Sequence, residues 1–220
     1  FTDCFSKKYN SGIIEKQTFV YSVKGQDTLR LDKYNLSSKN LNTETCILFL
    51  FGGGFSSGSR NYTENVDLMI LLAEKGYTTI AIDYRLGMKN RQPTYPTEMA
   101  SSLIKAVSLA VEDFYDATTF VYNQAENWNI NKNQIIACGS SAGAVTVLQG
   151  EYLICSGNDL KQKLPDNFRY WGILSFAGAV LKPAKENKLL LQHPPVQMFH
   201  GDADSNVPYN QIEVESVGLY

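Results

Sequence analysis

Apolar residues along the chain fall into two kinds of pattern, which change over near residue 46. Before that point, residues 17–23 and 28–36 carry strand-like alternation and flank Lys24-Gly25-Gln26-Asp27. Two such runs around a turn-forming tetrapeptide predict an antiparallel hairpin. Beyond it, continuous apolar runs at 46–51, 78–83, 134–138, 172–177 and 196–200 alternate with stretches of helical spacing. Such runs predict strands buried on both faces of a parallel sheet.

The helical stretches are marked by Val66, Met69, Ile70 and Ala73, then by Met99, Leu103, Val107, Ala110, Val111 and Phe114, and then by Ala142, Val145, Leu148 and Tyr152. Spacings of three or four predict that each helix packs one stripe against the sheet. Strand and helix in alternation predict an α/β fold: a mostly parallel sheet with helices on both faces, joined by right-handed crossovers. At 220 residues, one domain over 1–220 with a single core is expected. Residues 155–165 and 179–195, richer in Lys, Asn and Pro, are the expected irregular excursions, of a kind that often covers a pocket.

Composition narrows the function classes. Apolar residues are 44% and charged residues 19% of the chain, as in ordinary globular proteins. A formal net charge of -2 with no Lys/Arg cluster argues against nucleic acid as a partner. No apolar run reaches the roughly 18 to 20 residues of a membrane-spanning helix. The four cysteines show no C-x-x-C pair, so no metal site is expected. Cys46 and Cys138 read as buried thiols, and Cys4 and Cys155 as the pair able to bridge in an oxidising compartment. The start at Phe1 rather than Met hints at a removed leader and so, weakly, at a secreted or periplasmic protein. The sequons Asn35-Leu36-Ser37 and Asn61-Tyr62-Thr63 are too common by chance to add to this.

Two segments match G-x-S-x-G: Gly54-Phe55-Ser56-Ser57-Gly58 and Gly139-Ser140-Ser141-Ala142-Gly143. The chemistry needs the serine on a sharp strand-to-helix turn, where helix N–H groups favour developing negative charge. Only Ser141 follows a strand directly and opens a helical stretch, which makes it the candidate nucleophile and Ser56 the chance match. Gly52-Gly53-Gly54 follows its own apolar run, and side-chain-free backbone there can aim N–H groups at an anion. A dinucleotide site is the competing reading, with Asp83 ending the next strand. However, glycines 52, 54 and 58 do not give G-x-G-x-x-G, and no tyrosine has a lysine four residues on.

Taken together, Phe51-Gly52-Gly53-Gly54-Phe55, Asp83-Tyr84-Arg85, Gly139-Ser140-Ser141-Ala142-Gly143 and the segment from His200-Gly201-Asp202 to Val207-Pro208 resemble the esterases and lipases of the α/β-hydrolase superfamily. The resemblance is closest to the carboxylesterase and hormone-sensitive-lipase-like branch and runs from about Cys46 onward. It implies a serine hydrolase of carboxylic esters acting on small-molecule substrates, with no metal and no organic cofactor. Residue by residue, it implies Ser141 as nucleophile, the backbone N–H groups of Gly53, Gly54 and Ala142 as oxyanion hole, and Asp204 as the triad acid, with Asp202 as the competing acid. Asp83, Tyr84 and Arg85 match a structural feature, the arginine bracing loops near the site. Phe51 departs from the pattern, since many relatives carry His or Tyr there.

The triad order in this fold is Ser, acid, His. Both histidines, His193 and His200, precede Asp204, so the resemblance implies a base supplied from beyond Tyr220 and a chain lacking the last strand and the histidine loop. His200, next to the acid turn, reads as a bracing residue and His193 as an exposed loop residue. The runner-up reading is a non-catalytic binding protein on the same fold, which explains the missing base without truncation, and fold alone does not reject a peptidase or thioesterase.

Overall fold

The computed structural model describes residues 4–9, 12–37, 43–181 and 192–209, with backbone only for 4–9. Strands β1 (Cys4–Tyr9), β2 (Gly12–Lys24), β3 (Asp27–Leu36), β4 (Cys46–Leu50), β5 (Thr78–Ile82), β6 (Ile135–Ser140), β7 (Gly172–Phe176) and β8 (Val196–Phe199) form one sheet. Its order is β1-β2-β3-β5-β4-β6-β7-β8. The pairs from β1 to β5 on the N-terminal side are antiparallel, and those from β5 through β4, β6 and β7 to β8 are parallel. The expected hairpin is β2–β3, and β1 extends it by pairing Cys4 with Gln17 and Tyr9 with Gly12.

The helices are α1 (Thr63–Glu74), α2 (Pro96–Gln124) and α3 (Ala142–Ser156), with a 3₁₀ turn at Asp159–Lys163. The chain leaves β4 towards β5 on one side and leaves β6 towards β7 on the other. Right-handed crossovers in opposite directions place α1 and α3 on opposite faces of the sheet. The β5-to-β6 crossover runs the same way as that of α3, and α2 indeed packs against α3. All five residues of β4 and of β5 are buried, as continuous apolar runs predict.

Three packing expectations are corrected. Strand β8 is exposed at every position, Phe199 by 50%. It is the edge strand, and among the described residues β7 is the element it packs on. Met99 is 46% exposed, because a 29-residue helix is roughly 43 Å long, against roughly 17 Å for a five-residue strand; the first turn of α2 overshoots the sheet. Helix α3 is buried almost all round from Ala142 to Glu151, since it lies between the sheet and α2, so no single stripe describes it. Cys46 and Cys138 are buried thiols, as expected. Cys155 is also a free thiol, and it donates to Glu151 Oε1 at 3.1 Å, so the bridge to Cys4 is not formed. Of the excursion 179–195, residues 182–191 lie outside the described residues.

An ion-pair network ties α2 to its surroundings. Lys24 Nζ meets Asp116 at 2.6 Å and Glu112 at 3.2 Å, Lys163 Nζ meets both, and Arg85 reaches Glu112 and the buried Asp113. Partial burial alone would raise the Glu112 carboxyl, but hydrogen bonds from Arg85, Lys163 and Lys24 outweigh it and hold the group at about 2, below its ordinary 4.5. A depressed folded value adds stability that is present above the unfolded value and is lost as pH falls through the folded one. The stability difference between wild type and Glu112→Gln is therefore expected to shrink as pH falls from about 5 to about 2, measured by urea unfolding at each pH. A difference constant across that window would refute it.

Candidate active site

In open parallel sheets, ligands bind at the carboxyl ends of strands where the order reverses. Here that point lies between β4 and β6, whose last residues pair Leu50 with Gly139. The loop after β4 and the turn after β6 therefore meet, which brings the triple glycine to Ser141.

Ser141 has φ 49° and ψ -117°, a conformation that is costly for a side-chain-bearing residue and that clusters at functional sites. The surroundings hold it there. Its N–H donates to the Phe176 carbonyl at 2.8 Å, and its carbonyl accepts from Val145 N–H at 2.8 Å. The flanking glycines are steric necessities: a methyl at Gly139 would overlap Gly143, and one at Gly143 would overlap the Leu50 carbonyl oxygen. The Ser141 side chain is half-buried at the head of α3, whose leading N–H groups, Ala142 included, have no acceptor within the helix.

Gly52 lies against this turn: a methyl on it would sit 3.2 Å from Ser141 Cβ and 3.1 Å from the Ser140 carbonyl oxygen. Beyond it the loop turns back on itself. Gly53 and Gly54 have φ of 132° and 60°, and Ser56 and Ser57 N–H both donate to the Gly53 carbonyl at 3.0 Å. Among the described residues, neither Gly53 nor Gly54 N–H donates to another backbone group. Ser56 is exposed, and its hydroxyl turns back to the Gly53 carbonyl at 3.1 Å. No helix follows it directly, so it has none of the surroundings of Ser141.

Asp204 stands in the turn after β8. Its Oδ1 accepts from Asn206 and Val207 N–H at 2.8 and 2.9 Å, and these bonds, Val207 first, hold the carboxyl below its ordinary value. Among the described residues, the nearest basic group to Oδ2 is His200 Nε2, at 3.7 Å. Asp202 is exposed in the same turn. The ends of β6, β7 and β8 are tied in sequence, Ser141 N–H to Phe176 and Ala177 N–H to Phe199 at 2.8 Å. Two strand spacings, roughly 10 Å, separate the end of β6 from that of β8.

Both histidines of the chain lie against backbone carbonyls close in sequence. His200 Nε2 lies 2.6 Å from the Val207 carbonyl, which can only accept, so this nitrogen carries the proton and braces the acid turn. Its distance to Asp204 Oδ2 is 3.7 Å. His193 is exposed, with Nδ1 2.8 Å from the adjacent Pro194 carbonyl.

Tyr84 braces the loop behind the site, while Arg85 ties its own segment to α2. Tyr84 donates to the Phe51 carbonyl at 2.7 Å and stacks on the Phe51 ring at 4.5 Å, so an aromatic residue at 51 serves this loop by packing. Arg85 Nε reaches both Asp113 oxygens, at 3.0 and 2.9 Å. Two contributors were not singled out from the sequence. Arg60 is buried between Asp32 and Asp83, and nothing in the polar run Ser59-Arg60-Asn61 marks it. Asp113 did leave a signal, a carboxylate between Val111 and Phe114 on the buried side of α2.

The model of the BD-FAE family, an α/β-hydrolase-type esterase family, matches residues 31–153. Among solved structures, the apo form of Thermogutta terrifontis esterase 2 superposes with a TM-score of 0.62 at 22% identity, covering 87% of this chain and 74% of that one. Its propionate-bound form gives 0.65 at 22% identity, covering 87% and 74%. Esterase Est22 gives 0.55 at 17% identity, covering 75% of this chain and 43% of its own. At these identities the structural likeness is one of fold. The family match carries more, because it spans more than half of the chain and includes both the glycine loop and the serine turn: the chain belongs to the BD-FAE family.

Proposed function

We propose that this protein hydrolyses carboxylic esters through an acyl-enzyme on Ser141. One observation carries the reading: a strained serine at a helix head stands against a glycine loop with uncommitted N–H groups, with Gly52 3.2 Å from the serine Cβ by the measure of an added methyl. In the first step the Ser141 hydroxyl attacks the ester carbonyl, and its proton passes to an imidazole. The negative charge on the tetrahedral oxygen is met by N–H groups of Gly53, Gly54 and Ala142, each such donor being worth about two to three decades of rate. The alcohol leaves with the imidazole's proton, and water then cleaves the acyl-enzyme by the reverse sequence. Asp204 orients the imidazole through Oδ2. His200 is committed to Val207 and His193 to its own loop, so neither supplies that imidazole.

A small acyl group is the expected substrate, on an aryl or carbohydrate alcohol. The propionate-bound Thermogutta structure supports the small acyl group. The placement of His193 and His200 favours a second reading, a non-catalytic binding protein. Asp204→Asn separates the two, because asparagine keeps an oxygen for Asn206 and Val207 N–H but presents no carboxylate to the base. In the complete protein, kcat on a short aryl ester is expected to fall by about four decades with KM little changed. An unaltered kcat would remove Asp204 from the mechanism.

A further inference from the structure

The loop that carries the oxyanion donors has little stiffness of its own. Residues 52, 53, 54 and 58 are glycine, and Gly53, Gly54, Phe55 and Gly58 all have positive φ. Glycine gains freedom whenever a structure loosens, so the loop's position depends on what grips it. Its near end is held by Tyr84 on the Phe51 carbonyl, and its middle by Met88 N–H on the Phe55 carbonyl at 2.9 Å. Its far end is held by Arg60, only 9% exposed.

Arg60 Nε donates to Asp32 Oδ2 at 2.9 Å, and Nη1 donates to Asp83 Oδ2 at 2.5 Å. Asp32, fully buried on β3, also accepts from Thr18 Oγ1 at 2.6 Å and pairs with Lys16 Nζ at 3.0 Å. Asp83 follows β5 and accepts from Arg30 N–H of β3 at 3.1 Å. The guanidinium is thus fastened to two adjacent strands. Buried ion pairs add little net stability over apolar residues of similar size; a planar fork between two carboxylates supplies direction instead. The loop is closed enough to transmit that direction. A methyl at Gly58 would overlap the Gly52 carbonyl oxygen, and one at Gly53 would overlap Ser57, so a shift at residues 58–60 moves residues 52 and 53.

We propose that Arg60 is a positioning residue for ester cleavage: by gripping Asp32 and Asp83 it fixes the glycine loop so that Gly53 and Gly54 N–H face the oxygen bound to Ser141. The proposal rests on the ester-hydrolase reading. Arg60 is buried with its guanidinium committed to Asp32 and Asp83, so its effect is expected on the transition state rather than on substrate binding.

The test compares wild type, Arg60→Met, Arg60→Lys, Asp83→Asn and, as a control, Lys24→Met, which loses ion pairs to Glu112 and Asp116 away from the loop. Hydrogen–deuterium exchange of the peptide covering 51–58 and kinetics on p-nitrophenyl acetate are measured on the complete protein. Arg60→Met is expected to speed exchange at Ser56 and Ser57, whose N–H groups donate to the Gly53 carbonyl, and to lower kcat by about 100-fold, the cost of a displacement near 1 Å, with KM within about threefold. Arg60→Lys should recover part of kcat, Asp83→Asn should fall between, and Lys24→Met should leave both readouts near wild type. Unchanged exchange, or a kcat loss no greater than in Lys24→Met, overturns the proposal. Should Arg60→Met fail to fold, Asp83→Asn decides on the same criteria. A wild type inactive on the ester overturns the hydrolase reading, while exchange still reports on the clamp.

Discussion

Ser141→Ala in the complete protein is expected to lower kcat on a short aryl ester by about six decades, to the level that binding and the oxyanion donors sustain alone. The size follows from the mechanism. Without Oγ no acyl-enzyme forms, and the water that must attack instead has no group to fix it at the helix head. The fold should be unaffected, because Ser141 holds its neighbours through backbone groups alone, its N–H to Phe176 and its carbonyl to Val145. Alanine must adopt the same φ of 49°, no harder for it than for serine. Ser56→Ala provides the contrast: it removes a hydroxyl bonded only to its own loop, and kcat should stay within about threefold.

The second large effect belongs to Gly143. In an exposed helix, glycine to alanine would stabilise by about 1 kcal/mol. At Gly143 the sign reverses. The added methyl would overlap the Leu50 carbonyl oxygen, and Leu50 ends the fully buried central strand β4. Neither side can yield: α3 is buried between the sheet and α2, and Leu50 is paired with Gly139 and Ile82. Gly143→Ala is therefore expected to cost about 3 kcal/mol in urea unfolding, at the upper end for overpacking. It should also lower kcat by about two decades, because the head of α3 moves relative to the glycine loop. Equal or raised stability would show that α3 does not press on β4 as described.

Both effects arise where local pattern and global fold agree, and there the sequence was most readable. The apolar runs at 46–51 and 134–138 needed no partner information, because a strand covered on both faces is apolar at every position. The turn at 139–143 was readable because a strand, glycines and helix spacing abut. Legibility failed where the answer lay in other parts of the chain. Met99 continued a helical stripe, but its burial depended on the length of α2 against the strands beside it. The apolar run at 196–200 could not reveal that β8 lies at the sheet edge. Strand β1 was missed although Ser11-Gly12 offers turn chemistry, because Lys7-Lys8 breaks the apolar pattern. The role of Arg60 could not be read locally, since its two carboxylates are 28 and 23 positions away.

The central claim is that the Ser141 oxygen attacks an electrophilic centre while the glycine-loop amides face it. Thermogutta esterase 2 has been solved phosphorylated by paraoxon, and the same reagent is a direct probe. The complete protein treated with paraoxon is expected to gain one diethylphosphoryl group, located by peptide mass spectrometry on the fragment containing Ser141 and absent from Ser141→Ala. A label on Ser56 or elsewhere, or no label on folded protein, would contradict the account.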